Sequence, residues 1–228
     1  MRSVCIFPLH NFASLAIETE NFRARCRAWL MLELSLESIL TVIVTTSPSP
    51  VHPSLELIDA LLHSISTYAP ELVRCRFVLV CDGFKPAAKN AFRSGKVDAT
   101  AVAAYIKYKD ELNKMVNRLR QEFPLGDTAS EVSHFPYMEV LEFPENRGFG
   151  FAVKDALANV TTPLVCVIQH DRTFLRTVDI PTIARAIIES HGTVGYVLLP
   201  TRSTANYVHQ QRSRLGTYGV KEASKLHA

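Results

Sequence analysis

Polar side chains that could take part in chemistry follow three separate apolar segments of the chain. Along the chain they are Thr45-Thr46-Ser47, Asp82-Gly83 and Gln169-His170-Asp171. The apolar segment before each group is short and rich in β-branched residues, which predicts a buried strand. Hydroxyls, carboxylates and glycines at strand ends can contact a ribose, a base or a phosphate. If the strands are parallel, the three groups share the sheet edge where open α/β sheets bind ligands.

A fourth polar group, Asn146-Arg147-Gly148, precedes a segment with helical periodicity. The apolar residues of that segment are Val153, Ala156, Leu157 and Val160. It joins a predicted strand over Tyr137–Phe143 to one over Leu164–Ile168, so this part of the chain predicts a strand-helix-strand unit. A helix that begins near Arg147 would offer N–H groups and a cation to a phosphate. Asn146 has a simpler interpretation, as the residue that caps this helix.

The other regular elements predict the architecture. Further strands are predicted over Thr41–Thr46, Cys75–Cys81 and Thr193–Leu199. Helices are predicted after His52-Pro53-Ser54, with proline in the first turn, and over Asp98–Gln121 and Ile180–Ser190. The second of these helices directs Val102, Tyr105, Ile106, Leu112, Val116 and Leu119 inward. Alternating strands and helices predict an α/β fold with a mostly parallel sheet and helices on both faces.

Three regions are predicted from these patterns. Residues 1–40 have no clear partner in the rest of the chain and are expected to form an appendage, helical or partly disordered. Residues 41–200 form the α/β domain, interrupted by a turn-rich surface loop over Phe123–Phe135. Residues 201–228 form a polar tail, and an α/β domain that ends this way is expected to be incomplete at its C-terminus.

Composition excludes some classes of function. The 228 residues are 47% hydrophobic and 21% charged, with a net charge of +3 that is spread along the chain. This balance is typical of a soluble globular protein and does not indicate a nucleic-acid partner. Five cysteines without a Cys-x-x-Cys pair favour buried, reduced thiols. The sequence contains no apolar run of the roughly 20 residues that a membrane span needs.

In order, spacing and strand context, the polar groups resemble the inverting, GT-A-type glycosyltransferases of the broad family 2 group. The resemblance covers about Thr41 to Arg172. It implies a Rossmann-like GT-A sheet that binds a nucleoside-diphosphate sugar. The implied nucleotide-binding residues are Thr45, Thr46, Ser47, Asp82, Gly83, Asn146, Arg147 and Gly148. It also implies that Asp171, with His170, holds a divalent metal, manganese or magnesium, on the diphosphate.

The function implied by this resemblance is transfer of the sugar to an acceptor hydroxyl with inversion. Two departures from the family keep a second interpretation open, a catalytically inactive relative that binds a nucleotide or a partner protein. Gln169 stands where the first aspartate of the family's metal motif belongs, and the family's general base has no convincing counterpart. A nucleotidyltransferase ranks last, because the loop Ser47-Pro48-Ser49-Pro50 has neither glycines nor a cation. Catalytic residues, donor, acceptor and compartment, whether cytoplasmic or Golgi-type, stay open.

Overall fold

A computed structural model of the chain describes residues 4–9, 35–121 and 135–199. In chain order its strands are β1 (Cys5–Pro8), β2 (Leu40–Thr46), β3 (Arg76–Cys81), β4 (Lys85–Pro86), β5 (Lys96–Val97), β6 (Met138–Glu142), β7 (Leu164–Gln169) and β8 (Val197–Leu198). Its α-helices are α1 (Glu56–Tyr68), α2 (Ala99–Gln121), α3 (Phe149–Leu157) and α4 (Ile180–Glu189). Within these ranges no helix is both long and apolar enough to cross a membrane.

Six strands form one mixed sheet in the order β6-β3-β2-β7-β1-β8. The four strands β6, β3, β2 and β7 are parallel, and β1 pairs antiparallel with both β7 and β8. Every residue of β2 is buried, as expected for a central parallel strand covered on both faces. In the register of the sheet, Val44 lies beside Leu79 on one side and Ile168 on the other. The carboxyl ends of β2, β3 and β7 therefore meet at one edge.

Helices cover both faces of the sheet, which confirms the predicted α/β layers and is compatible with a Rossmann-like fold. On one face, α1, α2 and α4 pack on side chains that include Val44 and Leu79. On the other face, α3 packs on side chains that include Ile43 and Val78. Successive strand residues point to opposite faces, so a strand buried on both faces must be apolar along its whole length. The central residues of β2, β3 and β7 follow this pattern.

The N-terminal residues correct the predicted domain boundary. The expectation of an appendage over residues 1–40 is wrong for residues 4–9, because β1 extends the main sheet. Ile6 lies opposite Cys166 of β7 and is fully buried. Leu40 also belongs to the sheet, as the first residue of β2. Four residues are too few to show a period, so this strand gave no signal of its own. Residues 10–34, and the predicted tail over 201–228, lie outside the described residues.

Some helix and strand details also differ from prediction. Ile106 was expected to face inward but is 54% exposed, whereas Tyr108 is buried. The buried stripe of α2 starts at Tyr105 and advances by three or four residues, and Ile106 lies off it by about 100°. α1 begins only after Pro53, at Glu56, whose N–H donates to Ser54 Oγ at 3.1 Å. The last strand is shorter than predicted, and of the loop predicted over 123–135 only Phe135 is described.

The thiol prediction is confirmed for the cysteines that the structure describes. All four are free, and three of them are buried: Cys75, Cys81 and Cys166. Burial raises the pKa of the Cys81 thiol to about 11, which keeps it protonated and unreactive at neutral pH. Cys26 lies outside the described residues.

We expect Ile6→Ala to lower the free energy of unfolding by about 2–4 kcal/mol, the usual cost of truncating a fully buried isoleucine. An appendage residue would cost almost nothing. Urea unfolding of the variant and the wild type measures the difference. Leu175→Ala is the control, because Leu175 is 76% exposed and its truncation should change stability by no more than about 0.5 kcal/mol. Equal stability of Ile6→Ala and wild type would contradict the placement of β1.

Candidate functional site

The carboxyl ends of β2, β3 and β7 open into one cavity of about 590 Å³. Six chain segments line it: the end of β2 with the loop after it, Leu57 on α1, Asp82 after β3, a turn between β4 and β5, Asn146 with the start of α3, and the end of β7 with the residues after it. A volume of this size is typical of a small-molecule or cofactor site. The cavity lies at the edge predicted from the sequence, where ligands of open α/β sheets bind.

Eight of the ten predicted site residues line this cavity: Thr45, Thr46, Ser47, Asp82, Asn146, Gly148, His170 and Asp171. Gly83 is buried beneath it, where the backbone of Glu145 leaves no room for a Cβ. The expectation that Arg147 supplies the phosphate-binding cation finds no support in the geometry. Its side chain does not line the cavity, and its Nε lies 3.1 Å from Asp155 Oδ2 on α3.

Asp82 is the most heavily hydrogen-bonded side chain of the site. It is 5% exposed, and its Oδ1 accepts from Gly83 N at 2.9 Å and Arg147 N at 2.7 Å. Oδ2 accepts from Gly148 N at 2.9 Å and Asn146 Nδ2 at 3.2 Å. A carboxylate offers about four lone-pair positions, so the protein itself occupies all of them. Asp82 therefore holds the turn before α3, which begins at Phe149 rather than at Arg147.

The 85–97 loop, which contains β4 and β5, packs against the same turn. Gly95 has a φ of 69°, a left-handed conformation that glycine adopts without strain. A Cβ at this position would collide with the side-chain amide of Asn146. This close approach brings the preceding turn, with Arg93, to the cavity wall. Sequence reasoning missed Arg93, because the 85–97 loop has no periodicity and no family motif falls on it.

Of the three hydroxyls at the end of β2 and just after it, two are buried and one is exposed. Thr45 Oγ1 donates to Ile168 O and Thr46 Oγ1 donates to Cys81 Sγ, each at 3.5 Å. These contacts join the ends of neighbouring strands. Ser47 is exposed and lines the cavity. Of the three predicted hydroxyls, Ser47 is therefore the most accessible to a ligand.

His170 is held in one orientation by a backbone carbonyl. Its own N–H and its ring Nδ1 both lie 3.1 Å from Thr45 O. Because a carbonyl oxygen only accepts, Nδ1 carries the hydrogen and Nε2 of the neutral ring keeps its lone pair. Burial lowers the pKa of His170, so the ring is neutral at pH 7. The cavity thus gains a neutral imidazole rather than a cation.

The residues at the end of β7 do not fit the divalent metal that the family resemblance implies. Magnesium and manganese prefer several oxygen ligands, with carboxylates prominent among them. Here the neutral Gln169 and a single carboxylate, Asp171, stand in the motif, and Arg172 Nε lies 3.6 Å from Asp171 Oδ1. Across residues 4–9, 35–121 and 135–199, no group of three His, Cys, Asp or Glu side chains could hold a metal ion.

An aromatic stack supports the loop after β2. The His52 ring lies 4.0 Å from that of Tyr108 and 5.1 Å from that of Tyr105, centroid to centroid. His52 Nδ1 accepts from Ser49 N at 3.3 Å, and Tyr105 donates its hydroxyl to Asp82 O at 2.7 Å. The stack therefore connects the loop after β2 to the end of β3. Burial, assisted by nearby His170, lowers the pKa of His52 to about 4.

We expect Asp82→Asn to lower the free energy of unfolding by about 1–3 kcal/mol. An amide NH₂ would face N–H donors that now have a carboxylate acceptor, so buried donors would lose their partners. Urea unfolding measures the loss. Asp171→Asn is the matched control, because its side chain is 50% exposed and should change stability by about 0.5 kcal/mol or less. Equal losses in both variants would show that the hydrogen bonds of Asp82 do not contribute to the free energy of unfolding beyond the effect of removing a surface charge.

The lowered pKa of His52 predicts that the protein loses stability in weak acid. Unfolded His52 takes up a proton near pH 6.5, whereas the folded protein resists it until about pH 4. The free energy of unfolding should therefore fall by about 2–3 kcal/mol as the pH drops from 6.5 to 4. His52→Phe keeps an aromatic ring in the stack but removes this titration. Urea midpoints at several pH values test this, and an equally steep acid loss in His52→Phe and wild type would refute it.

Comparison with known proteins does not assign the chain to a family. No protein-family model matches the chain, and no curated protein sequence gives a significant match. The function is therefore argued from the residues that form the cavity and from the chemistry that they allow.

Proposed function

We propose that the cavity binds a nucleoside-diphosphate sugar and that the chain transfers the sugar to an acceptor hydroxyl with inversion. One observation carries this proposal. The carboxyl ends of three parallel strands and the start of α3 open into a single cavity of about 590 Å³. An elongated ligand with a base, a diphosphate and a sugar needs contacts from several such segments at once.

The start of α3 suits the diphosphate part of such a donor. α3 has nine residues, and Gly148 and Phe149 at its N-terminus line the cavity. The first N–H groups of a helix have no acceptor within the helix, and the helix dipole adds partial positive charge there. Asp82 fixes the turn that leads into this end through the N–H groups of Arg147 and Gly148. In this proposal Asp82 holds the turn that leads into α3, and the first N–H groups of α3 itself bind the phosphate.

Apolar groups on the cavity wall suit the flat or apolar faces of the ligand. Phe149 is 40% exposed and lines the cavity. Pro48 and Pro50 line it in the loop after β2. Aromatic rings provide a surface on which a nucleobase or the apolar face of a sugar can stack. A wall with both apolar and polar groups is usual for small-molecule sites.

Inverting transfer needs a base near the acceptor, and Asp171 fits that requirement best. The acceptor oxygen forms a bond to the anomeric carbon while the bond from that carbon to the diphosphate oxygen breaks, and the diphosphate leaves with the electron pair. The acceptor proton passes to a carboxylate. Among the described residues that line the cavity, Asp82 has its lone pairs occupied, whereas the Asp171 side chain is 50% exposed.

A second candidate function is binding of the nucleotide without transfer. Gln169 favours it, because a neutral amide stands where the resemblance leads us to expect an aspartate of the metal motif. The cavity and the start of α3 would serve either function equally well. The two candidates differ in one measurable result, the release of free sugar or glycoside from the donor.

Ser47→Trp tests the proposed site, because a bulky ring at this exposed position should block part of the cavity without disturbing the core. We expect UDP or GDP, at 100 times its Kd, to stabilise the wild type by about 2.7 kcal/mol. That corresponds to a rise of about 5–10 °C in melting temperature for a protein of this size. Ser47→Trp should lose this rise. Ser38→Trp should keep it, because Ser38 is exposed just before β2, at the opposite edge of the sheet.

No rise with any nucleoside diphosphate in the wild type would overturn the proposed function. A rise that Ser47→Trp retains would move the binding site away from this cavity. Incubation with UDP-sugars or GDP-sugars then separates the two candidates. Hydrolysis or transfer that Asp171→Asn abolishes supports the transferase, and binding without either reaction supports the second candidate.

A further inference from the structure

The charges on the cavity wall differ from those of a metal-dependent diphosphate site. Among the described residues that line the cavity, the carboxylates are Asp82 and Asp171 and the cation is Arg93. We infer that Arg93 binds the diphosphate of the donor. Its positive charge takes the role that the resemblance to GT-A-type glycosyltransferases gives to a divalent metal. This inference rests on the proposed function. It adds that Arg93 is the positively charged ligand of the diphosphate and that binding needs no metal.

Local hydrogen bonds fix the turn that carries Arg93. A single 3-10 turn covers Phe92–Ser94, with Ser94 N donating to Ala91 O at 2.9 Å and Gly95 N donating to Phe92 O at 3.0 Å. Lys85 N donates to Gly95 O at 2.8 Å, which closes the 85–97 loop at its base. The backbone that carries Arg93 is therefore ordered, although the side chain itself is exposed.

The 85–97 loop is also tied to the turn that leads into α3. Gly95 packs directly against the side-chain amide of Asn146. That amide donates to Asp82 Oδ2 at 3.2 Å and to Gly83 O at 3.3 Å. Asp82 in turn accepts from the N–H groups that lead into α3. The backbone turn that carries Arg93 and the start of α3 are thus connected by one network.

The Arg93 guanidinium is available for a ligand. Other arginines near the sheet are engaged in ion pairs: Arg76 with Glu139, Arg147 with Asp155 and Arg172 with Asp171. Arg93 has no carboxylate partner among the described residues. A guanidinium donates two parallel hydrogen bonds to a phosphate and keeps its charge at any physiological pH. A free arginine on the wall of a polar cavity is therefore a natural anion ligand.

Charge balance favours Arg93 over a metal ion. A diphosphate brings at least two negative charges, which a bound site must neutralise. The end of β7 supplies a single carboxylate, so a divalent ion has too few ligands there. Arg93 and the N-terminal N–H groups of α3 supply positive charge instead. Binding of the diphosphate should therefore proceed without a divalent metal.

Titration calorimetry of three variants tests this inference. The probes are UDP, GDP and inorganic pyrophosphate, each measured in EDTA and in manganese chloride. For the wild type we expect dissociation constants in the two buffers that agree within about threefold. Arg93→Gln should weaken diphosphate binding at least tenfold, and Arg93→Lys should recover part of the loss, because it keeps the charge but not the two-pronged geometry.

Lys96→Gln is the matched control. It removes one positive charge from the same 85–97 loop, is exposed, and does not line the cavity, so its affinities should match those of the wild type. Without ligand, Arg93→Gln should melt at the wild-type temperature, because the side chain is exposed. Equal losses of affinity in Lys96→Gln and Arg93→Gln would mean that the net charge of the loop, and not Arg93 itself, controls binding. That result would overturn the inference.

The remaining outcomes separate the two proposals. Nucleotide binding that needs manganese, or that Arg93→Gln leaves intact, overturns the inference and leaves the proposed function standing. Pyrophosphate binding that depends on Arg93, with no binding of UDP or GDP, supports the anion site and overturns the proposed function. No binding of any probe overturns both.

Discussion

The buried carboxylate of Asp82 is the constraint on which the rest of the site depends. At 5% exposure it has lost most of its hydration, and no cation approaches it in the described structure. Such a group is tolerated only if donors replace the lost water. Four donors do so, and three of them belong to residues 146–148, more than sixty positions along the chain. Because the buried charge needs these donors, it restrains the turn that leads into α3.

Much of the fold follows from the sequence because buried parallel strands and amphipathic helices have clear patterns. β2, β3 and β7 read as β-branched apolar runs, and their alternation with helices predicts a shared carboxyl edge. The prediction failed where the pattern is too short or absent. β1 has four residues and no period, so only its pairing with β7 identifies it as part of the sheet. Arg93 lies in an irregular loop whose position depends on Gly95 and Asn146, a contact between distant residues.

The candidate site shows a further limit of sequence reasoning. An aspartate before a glycine at a strand end has the same pattern whether it binds a ligand or holds its own backbone. Only coordinates distinguish these roles, because they depend on which donors fill the carboxylate's lone pairs. The Asp82 carboxylate binds backbone N–H groups of the protein, and the Arg147 side chain pairs with Asp155. The residue types predicted the sheet edge at which the cavity lies. Which side chains a ligand can reach depends on the contacts that each side chain makes within the protein.

The commitment of Asp82 also changes the electrostatics of the cavity. A wall with two or three free carboxylates would repel a diphosphate until a metal ion neutralised them. Here one carboxylate is occupied by N–H donors, Gln169 is neutral, and Asp171 lies beside Arg172. Arg93 and the start of α3 are the positively charged groups on this wall that an incoming anion can contact. Because the same contacts hold the backbone of the Arg93 turn and the start of α3, the restraint that stabilises the turn also brings both segments to the cavity wall.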